Sequence, residues 1–215
     1  MLKKIRVTIA ALSFLIVTLL FLDFTGTIHL WFGWMAKIQF LPAVLAINVG
    51  VVLSLITLTL LFGRVYCSVI CPLGIMQDII SWISGKRKGK KLRFTYSPQL
   101  KWLRYGFLVL FLVALVAGIG SVAALLAPYS SYGRIASNLF APVYAWGNNI
   151  LAYFAERADS YAFYEKEIWL KSLPTFIIAT VTFIIIAVLS WKNGRTYCNT
   201  VCPVGTVLGF LSKFS

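Results

Sequence analysis

The chain contains four cysteines, and all of them lie in two copies of one short sequence. The first copy is GRVYCSVICPLG, residues 63–74, and the second is GRTYCNTVCPVG, residues 194–205. Each copy spaces its cysteines as C-x3-C followed by proline, and corresponding residues are 131 positions apart. Four thiolates are the ligand set of one cubane iron–sulfur cluster or of one tetrahedral zinc ion. The candidate metal ligands are Cys67, Cys71, Cys198 and Cys202.

The cysteine spacing favours iron–sulfur chemistry but leaves two alternatives. The phrase C-x3-C-P closes the cysteine run of bacterial ferredoxins. Structural zinc sites use C-x2–4-C pairs, so a zinc site in a non-redox assembly or structural subunit of the membrane also fits. Thiol–disulfide exchange is less favoured because dithiol oxidoreductases usually carry C-x-x-C. We interpret the repeat as two halves of one four-thiolate site that holds one shared 4Fe-4S cluster.

The residues that precede the cysteines also repeat. Arg64 and Arg195 stand three positions before the first cysteine of their copies. A guanidinium beside an anionic cluster would stabilise it, and a basic residue at a helix end also favours the helix dipole. Tyr66 and Tyr197 directly precede a cysteine, where they could donate to a cluster sulfur or anchor the chain at a membrane interface. These four side chains are predicted to surround the cluster.

Proline and glycine are expected to set the local backbone of each copy. Residues i and i+4 share a helix face, so both sulfurs of a pair can point the same way. Pro72 and Pro203 cannot continue an ordinary helical ladder, and Gly63 and Gly194 fit helix-ending positions. We therefore expect the second cysteine of each pair at a helix-to-turn junction, where backbone amides can point at its sulfur.

The rest of the composition indicates an integral membrane protein. Hydrophobic residues make up 60% of the chain and charged residues 12%, whereas about a quarter of residues are charged in soluble domains. Four runs are long enough to cross a hydrocarbon core as helices, at about residues 5–22, 41–62, 102–126 and 173–191. We predict an all-α polytopic protein with four transmembrane helices, which form a single membrane domain over residues 1–215.

The distribution of lysine and arginine predicts the orientation in the bilayer. The net charge is +14, and basic residues concentrate in the N-terminal segment, in the connection at 63–101 and in the C-terminal tail. The positive-inside rule places these segments in the cytoplasm, so both termini are inside and each helical hairpin ends in a cytoplasmic C-x3-C-P motif. Because the basic residues accompany apolar runs, the lipid bilayer is the expected surrounding and no nucleic acid is expected as a partner.

Two ionisable side chains lie at the outer end of the first predicted hairpin. Asp23 follows the first apolar run, and His29, the lone histidine, lies six residues further on. Either could accept a proton if a quinol were oxidised near the outer face, although a structural or interfacial histidine is the commoner role. The connection at 127–172 is rich in aromatic residues. We interpret it as short helices on the membrane surface, with the wall of a quinone pocket as the alternative.

The two G-R-x-Y-C-x3-C-P-x-G phrases, placed after the second and fourth apolar runs, resemble the membrane polyferredoxins of the NapH and NosR type. The resemblance implies a bacterial inner-membrane location and cytoplasmic motifs whose four cysteines ligate an iron–sulfur cluster. It also implies electron transfer between the quinone pool and redox partners such as ferredoxin-like subunits, within a complex of the quinol dehydrogenase type. Members usually carry a cytoplasmic ferredoxin domain after the second motif, which would follow residue 215 here.

Overall fold

Helices make up nearly all of the chain that the structure describes. The computed structural model describes residues 2–23, 26–63, 65–87, 101–157, 165 and 172–212. The α-helices in these ranges are α1 (Leu2–Leu22), α2 (Thr27–Phe32), α3 (Trp34–Lys37), α4 (Phe40–Leu45), α5 (Val49–Phe62), α6 (Pro72–Arg87), α7 (Lys101–Val116), α8 (Gly120–Leu126), α9 (Pro128–Ile135), α10 (Ala141–Arg157), α11 (Leu173–Asn193), α12 (Thr196–Thr200) and α13 (Pro203–Leu211). Two π-helical turns span Tyr66–Ile70 and Ala136–Phe140, and no strand occurs in the described ranges. The predicted all-helical class is confirmed.

Two of the four predicted spans are single uninterrupted helices. α1 and α11 each contain 21 residues, which corresponds to about 32 Å of helix. Among the described residues they are the two helices that are both long and apolar enough to cross a membrane. Large apolar side chains are exposed along both of them. Membrane-spanning character is therefore supported for two helices, and the four-span topology stays a prediction.

The other two predicted spans are each divided into two helices. Ile47 and Gly118 have positive φ angles of 53° and 72°. The N–H of Val49 donates to the Ile47 carbonyl at 3.0 Å, and the N–H of Gly120 donates to the Gly118 carbonyl at 2.9 Å. A residue in the left-handed conformation ends an α-helix because it turns the chain away from the helix axis. The predicted continuous helices are thus wrong: α4 and α5 replace the first of them, and α7 and α8 replace the second.

The first cysteine segment folds back into the core. The N–H of Phe40 donates to the Tyr66 hydroxyl at 3.0 Å, and Gln39 Nε2 donates to the Ile70 carbonyl at 3.3 Å. Phe40 and Tyr66 lie at opposite ends of the second predicted span. Between them α5 alone, with 14 residues, is about 21 Å long. A straight span would keep these residues apart, so their contact requires the break between α4 and α5.

The segment that follows α8 also enters the core. Tyr132 of α9 is fully buried, and its hydroxyl lies 2.6 Å from Thr18 Oγ1 of α1. The rings of Phe14 and Phe21 pack edge-on against the Tyr132 ring. Gly133 permits this close approach, since a Cβ at that position would lie 2.7 Å from the Phe21 ring. For α9 the interpretation as a helix on the membrane surface is therefore wrong.

Each of the two helices that follow the cysteine pairs packs against a helix from the other half of the chain, in addition to helices of its own half. α6, which follows the first pair, packs against α11, and Ser84 Oγ donates to the Trp191 carbonyl at 3.0 Å. α13, which follows the second pair, packs against α5 and α7. Arg104 of α7 is buried and donates from Nη2 to the Thr206 carbonyl at 3.0 Å. This exchange of helices brings residues of both cysteine pairs into one hydrophobic core.

Candidate metal centre

The two copies of the cysteine phrase share their backbone conformation at the first glycine and at the second cysteine, whereas the residues between are π-helical in the first copy and α-helical in the second. Gly63 and Gly194 end the preceding helices with φ angles of 68° and 71°, a region that glycine enters without steric cost. Cys71 has φ −76° and ψ 114°, and Cys202 has φ −70° and ψ 117°. Both second cysteines are therefore extended rather than helical. The prediction of glycine at the helix ends is confirmed, and the sequence repeat is also a structural repeat.

Each second cysteine leaves the helix before its proline. The N–H of Cys71 donates to the Tyr66 carbonyl at 2.9 Å, and the N–H of Cys202 donates to the Tyr197 carbonyl at 3.1 Å. Both bonds connect residues five positions apart. A proline disfavours helical backbone in the residue before it, which accounts for the extended cysteine. The two cysteines of a pair thus do not share one α-helical face, but the predicted helix-to-turn junction is confirmed.

The last glycine of each phrase is required by a close backbone approach. A Cβ at Gly74 would lie 2.0 Å from the Cys67 carbonyl oxygen, and a Cβ at Gly205 would lie 2.3 Å from the Cys198 carbonyl oxygen. Real Cβ atoms do not approach a backbone oxygen so closely, because the overlap is strongly repulsive. In each copy the glycine therefore lets the helix after the proline pack directly onto the first cysteine.

All four cysteines are buried, with exposed fractions between 2% and 6%, and none forms a disulfide. The N–H of Gly205 donates to Cys202 Sγ at 3.3 Å, and the backbone amides of Gly74 and Leu73 act in the same way on Cys71. Backbone amides thus point at the second sulfur of each pair, as the sequence predicts. Such amides stabilise a metal-bound thiolate.

The two cysteine pairs influence one another electrostatically. Burial, followed by the negative charge that Cys67 would carry, raises the pKa of Cys71 to about 12. Burial also raises the pKa of Cys202, and Cys67 and Cys71 from the other copy add to the effect. Burial and the neighbouring cysteines raise the pKa of Cys198 as well, so the thiols of Cys71, Cys198 and Cys202 are protonated at neutral pH in the metal-free chain. A metal centre bound here would displace these protons.

The four cysteines supply the number of ligands that either a zinc ion or a cubane cluster requires. In the part of the chain that the structure describes, no three side chains of His, Cys, Asp or Glu form a compact group around a single point. Around a tetrahedral zinc ion the sulfurs would lie roughly 3.8 Å apart, given a Zn–S distance of about 2.3 Å. A cubane cluster carries its four ligands on separate corners and so spreads them further apart.

Arg195 lies beside the cysteines and pairs with an acidic side chain. Its Nε and Nη2 atoms donate to the two carboxylate oxygens of Asp78 on α6. Burial lowers the pKa of Arg195, but the hydrogen bond and the charge of Asp78 more than offset this, and Cys198 and Cys67 add to the rise. Arg195 is thus within electrostatic reach of Cys198 and Cys67, and its role beside a bound cluster stays a prediction. Arg64, its counterpart, lies outside the described residues.

The two tyrosines of the phrases are buried in the core. The Tyr66 hydroxyl donates to Gln39 Oε1 at 3.0 Å and accepts from Phe40. The Tyr197 hydroxyl forms a hydrogen bond with the Ser131 side chain of α9. Neither side chain is exposed, so neither is an interfacial anchor. The hydroxyls fix α4 and α9 against the cysteine turns.

Asp23 and His29 lie in the turn that begins α2. The two Asp23 carboxylate oxygens accept the N–H groups of Gly26 and His29, each at 3.0 Å. The Asp23 side chain is 2% exposed, whereas the His29 side chain is 61% exposed, with Nδ1 3.9 Å from the carboxylate. Asp23 therefore organises the start of α2 through backbone amides. A role for either residue in proton transfer stays a prediction.

Sequence analysis did not identify Gln77 as a site residue. This side chain is completely buried, and its Nε2 donates to Cys198 Sγ at 3.3 Å. A signal was available in the repeat, since position 77 corresponds to Leu208 in the second copy. The neighbouring Asp78 likewise corresponds to Gly209. Polar residues in one copy, at positions that are apolar in the other, point to contacts that only one half of the site makes.

The fold and the site together define a helical protein with a buried four-cysteine centre built from two similar halves. A family model described as a 4Fe-4S binding domain matches residues 43–91 and residues 174–215. Each matched segment contains one cysteine pair, and together they cover less than half of the chain. The match supports an iron–sulfur family of the ferredoxin type and an iron–sulfur cluster as the bound group. No curated protein and no solved structure gave a significant match.

Proposed function

We propose that this chain is an electron-transfer subunit that holds one 4Fe-4S cluster between its two cysteine pairs. One observation carries the proposal: Cys67, Cys71 and Cys202, which come from both phrases, belong to one buried core, and the buried Cys198 is within electrostatic reach of all three. The match to a 4Fe-4S binding domain over both phrases supports it. When bound, such a cluster accepts and releases single electrons.

The chain's own residues would perform three tasks in such a site. Cys67, Cys71, Cys198 and Cys202 would hold the cluster. Backbone amides and the Arg195 guanidinium would stabilise its negative charge. The apolar core would exclude water, which is one of the factors that set a reduction potential. We propose a relay component of an oxidoreductase complex.

A lipid bilayer is the environment that we propose for the protein. Large apolar side chains are exposed on each of the helices α1, α5, α7 and α11. Monomeric soluble proteins rarely expose contiguous apolar patches larger than a few hundred Å². The resemblance to membrane polyferredoxins leads us to propose the cytoplasmic membrane of a bacterium, and the distribution of lysine and arginine favours an orientation with both termini inside.

A quinone is the electron carrier that we propose within the membrane. An apolar pocket of about 440 Å³ lies between the two helix breaks and is lined by residues of α4, α7, α8 and α9. Tyr129 and Ser130 are the hydroxyl-bearing residues of its lining, and small-molecule sites are typically apolar with a few polar groups that orient the ligand. The next residue, Ser131, is hydrogen-bonded to Tyr197, directly before Cys198. Ferredoxin-like subunits are the proposed partners at the cytoplasmic side.

Metal analysis of the anaerobically purified chain tests the cluster. We expect about four iron and four sulfide per chain and an EPR signal on reduction. Serine at any one of the four cysteine positions should remove both, whereas Ser68→Ala, next to Cys67, should leave them unchanged. One zinc without sulfide would replace this proposal with the structural zinc subunit.

A second experiment tests whether the two pairs share one cluster. In the double variant Cys67→Ser with Cys71→Ser, a shared cluster loses all of its iron, because two of its four ligands are gone. If each pair held its own metal, about half of the iron would remain on Cys198 and Cys202. Retention of that half would contradict the shared site.

The quinone pocket has a matched pair of test variants on adjacent residues. Leu115 lines the pocket, whereas the next residue, Val116, is strongly exposed. Leu115→Trp should fill the pocket and slow reduction of the cluster by a quinol analogue, and Val116→Trp should leave the rate unchanged. Equal rates in the two variants, at equal iron content, would contradict this location.

A further inference from the structure

One buried side chain from the first half of the site contacts a cysteine of the second half. Gln77 lies on α6, and its amide nitrogen is 3.3 Å from Cys198 Sγ. The two residues are 121 positions apart in the chain. The contact exists because α6 packs against α11, directly before the second cysteine phrase. Gln77 is therefore held against the sulfur by the tertiary structure alone.

The other end of the Gln77 amide has no compensating contact. Its Oε1 atom is buried and makes no hydrogen bond within the described part of the chain. Burying an unsatisfied acceptor costs free energy, so a glutamine is not the residue that packing alone would favour. Leucine occupies the corresponding position of the second copy, where Leu208 is also fully buried. What distinguishes glutamine from leucine here is its N–H bond to sulfur.

We propose that Gln77 is a positioning residue that orients Cys198 and raises the reduction potential of the bound cluster. The inference rests on the proposed iron–sulfur function. An N–H donor withdraws electron density from a thiolate sulfur, and this favours the reduced cluster, whose negative charge is greater. Because Leu208 offers no donor, the two halves of the site are unequal, and the extra bond falls on the second half.

The experiment compares the anaerobically purified wild-type chain with Gln77→Leu and Ser81→Ala. Leucine is a suitable replacement because Leu208 fills the matching position. Ser81 is a buried polar residue on the next turn of α6, so Ser81→Ala controls for loss of a polar group from that helix. We expect the iron and sulfide content of wild type in both variants, a lower reduction potential in Gln77→Leu, and the wild-type potential in Ser81→Ala.

Two measurements separate the possible failures. A wild-type chain without iron and sulfide would overturn the proposed function and this inference with it. A loaded Gln77→Leu variant with the wild-type potential would overturn this inference alone. If Gln77→Leu does not assemble, the contact between Gln77 and Cys198 is tested in the wild-type chain instead. The chain is labelled with ¹⁵N on its glutamine side chains, reduced, and measured by pulsed EPR. A nitrogen coupling to the cluster supports the contact, and its absence overturns it.

Discussion

Arg195 forms a two-pronged ion pair with Asp78, and this pair joins the two halves of the repeat. Arg195 stands three residues before Cys198, and Asp78 lies seven residues after Cys71. The repeat cannot form the corresponding ion pair between Arg64 and position 209, because glycine occupies the position that corresponds to Asp78. The ion pair therefore makes the two halves of the site unequal, as the contact of Gln77 with Cys198 does.

Asp78→Asn should change the charge near the cluster more than the stability of the fold. The two side chains are 30% and 41% exposed, so we expect a loss of no more than about 1 kcal/mol of unfolding free energy. The guanidinium of Arg195 would then face the sulfurs without a counter-charge, and the reduction potential should rise. Thermal unfolding and a potentiometric EPR titration measure the two effects.

Asp78→Glu is the matched control for this prediction, since it keeps the charge. The double variant Asp78→Asn with Arg195→Gln removes both charges and should return the potential toward that of wild type. A potential that does not move in Asp78→Asn would show that the ion pair does not tune the cluster.

Alanine at Gly74 or Gly205 should prevent assembly of the site. The new Cβ would lie 2.0 Å from the Cys67 oxygen or 2.3 Å from the Cys198 oxygen, so the helix could not close onto the first cysteine. We expect little bound iron in either variant, as measured by metal analysis. Gly85→Ala is the control on α6, because open space surrounds that position. Alanine there should stabilise the helix by up to about 1 kcal/mol.

Ile47→Asn should stabilise the protein, although it places a polar residue on an apolar surface. Ile47 has a φ angle of 53°, and a left-handed conformation costs a β-branched residue about 1–2 kcal/mol. Asparagine tolerates this conformation much better. We expect the midpoint of thermal unfolding in detergent to rise. Ile119→Asn, at the other break with φ −80°, makes the same change of polarity without relief of strain and should bring no gain.

Tyr132→Phe tests whether α9 lies in the core. The Tyr132 hydroxyl is 2.6 Å from Thr18 Oγ1 in a fully buried position, and loss of one buried hydrogen bond costs about 1 kcal/mol. The free energy of unfolding, measured with a denaturant, should fall by that amount. Tyr105→Phe changes an exposed tyrosine and should have no measurable effect. Equal stability of the two variants would place α9 outside the core.

Local features of the site were predictable because they depend on residues that are close in sequence. Proline excludes helical backbone in the cysteine before it, and glycine accepts the positive φ that ends the preceding helix. The turn conformation, the amides that point at sulfur and the set of four cysteines followed from these rules. α1 and α11 followed equally from their long apolar runs.

The two interrupted helices are features that these local rules do not fully predict. Gly118 is a visible break signal, and Asn48, whose side chain accepts the N–H of Val51, marks the start of α5. What the residue types do not predict is the left-handed conformation of Ile47, because β-branched residues rarely adopt it. A hydrophobic run reports how apolar a segment is, and it does not report whether the segment is straight.

The four thiols, their grouping into two equivalent turns and the helical class follow from residue types and from spacings that are short in the chain. Long-range packing brings both turns into one core, places α6 against α11 and α13 against α5, and sets Gln77 and Asp78 against the second cysteine phrase. These contacts join residues more than 100 positions apart. They depend on how whole helices pack, and no local pattern of residue types encodes that packing.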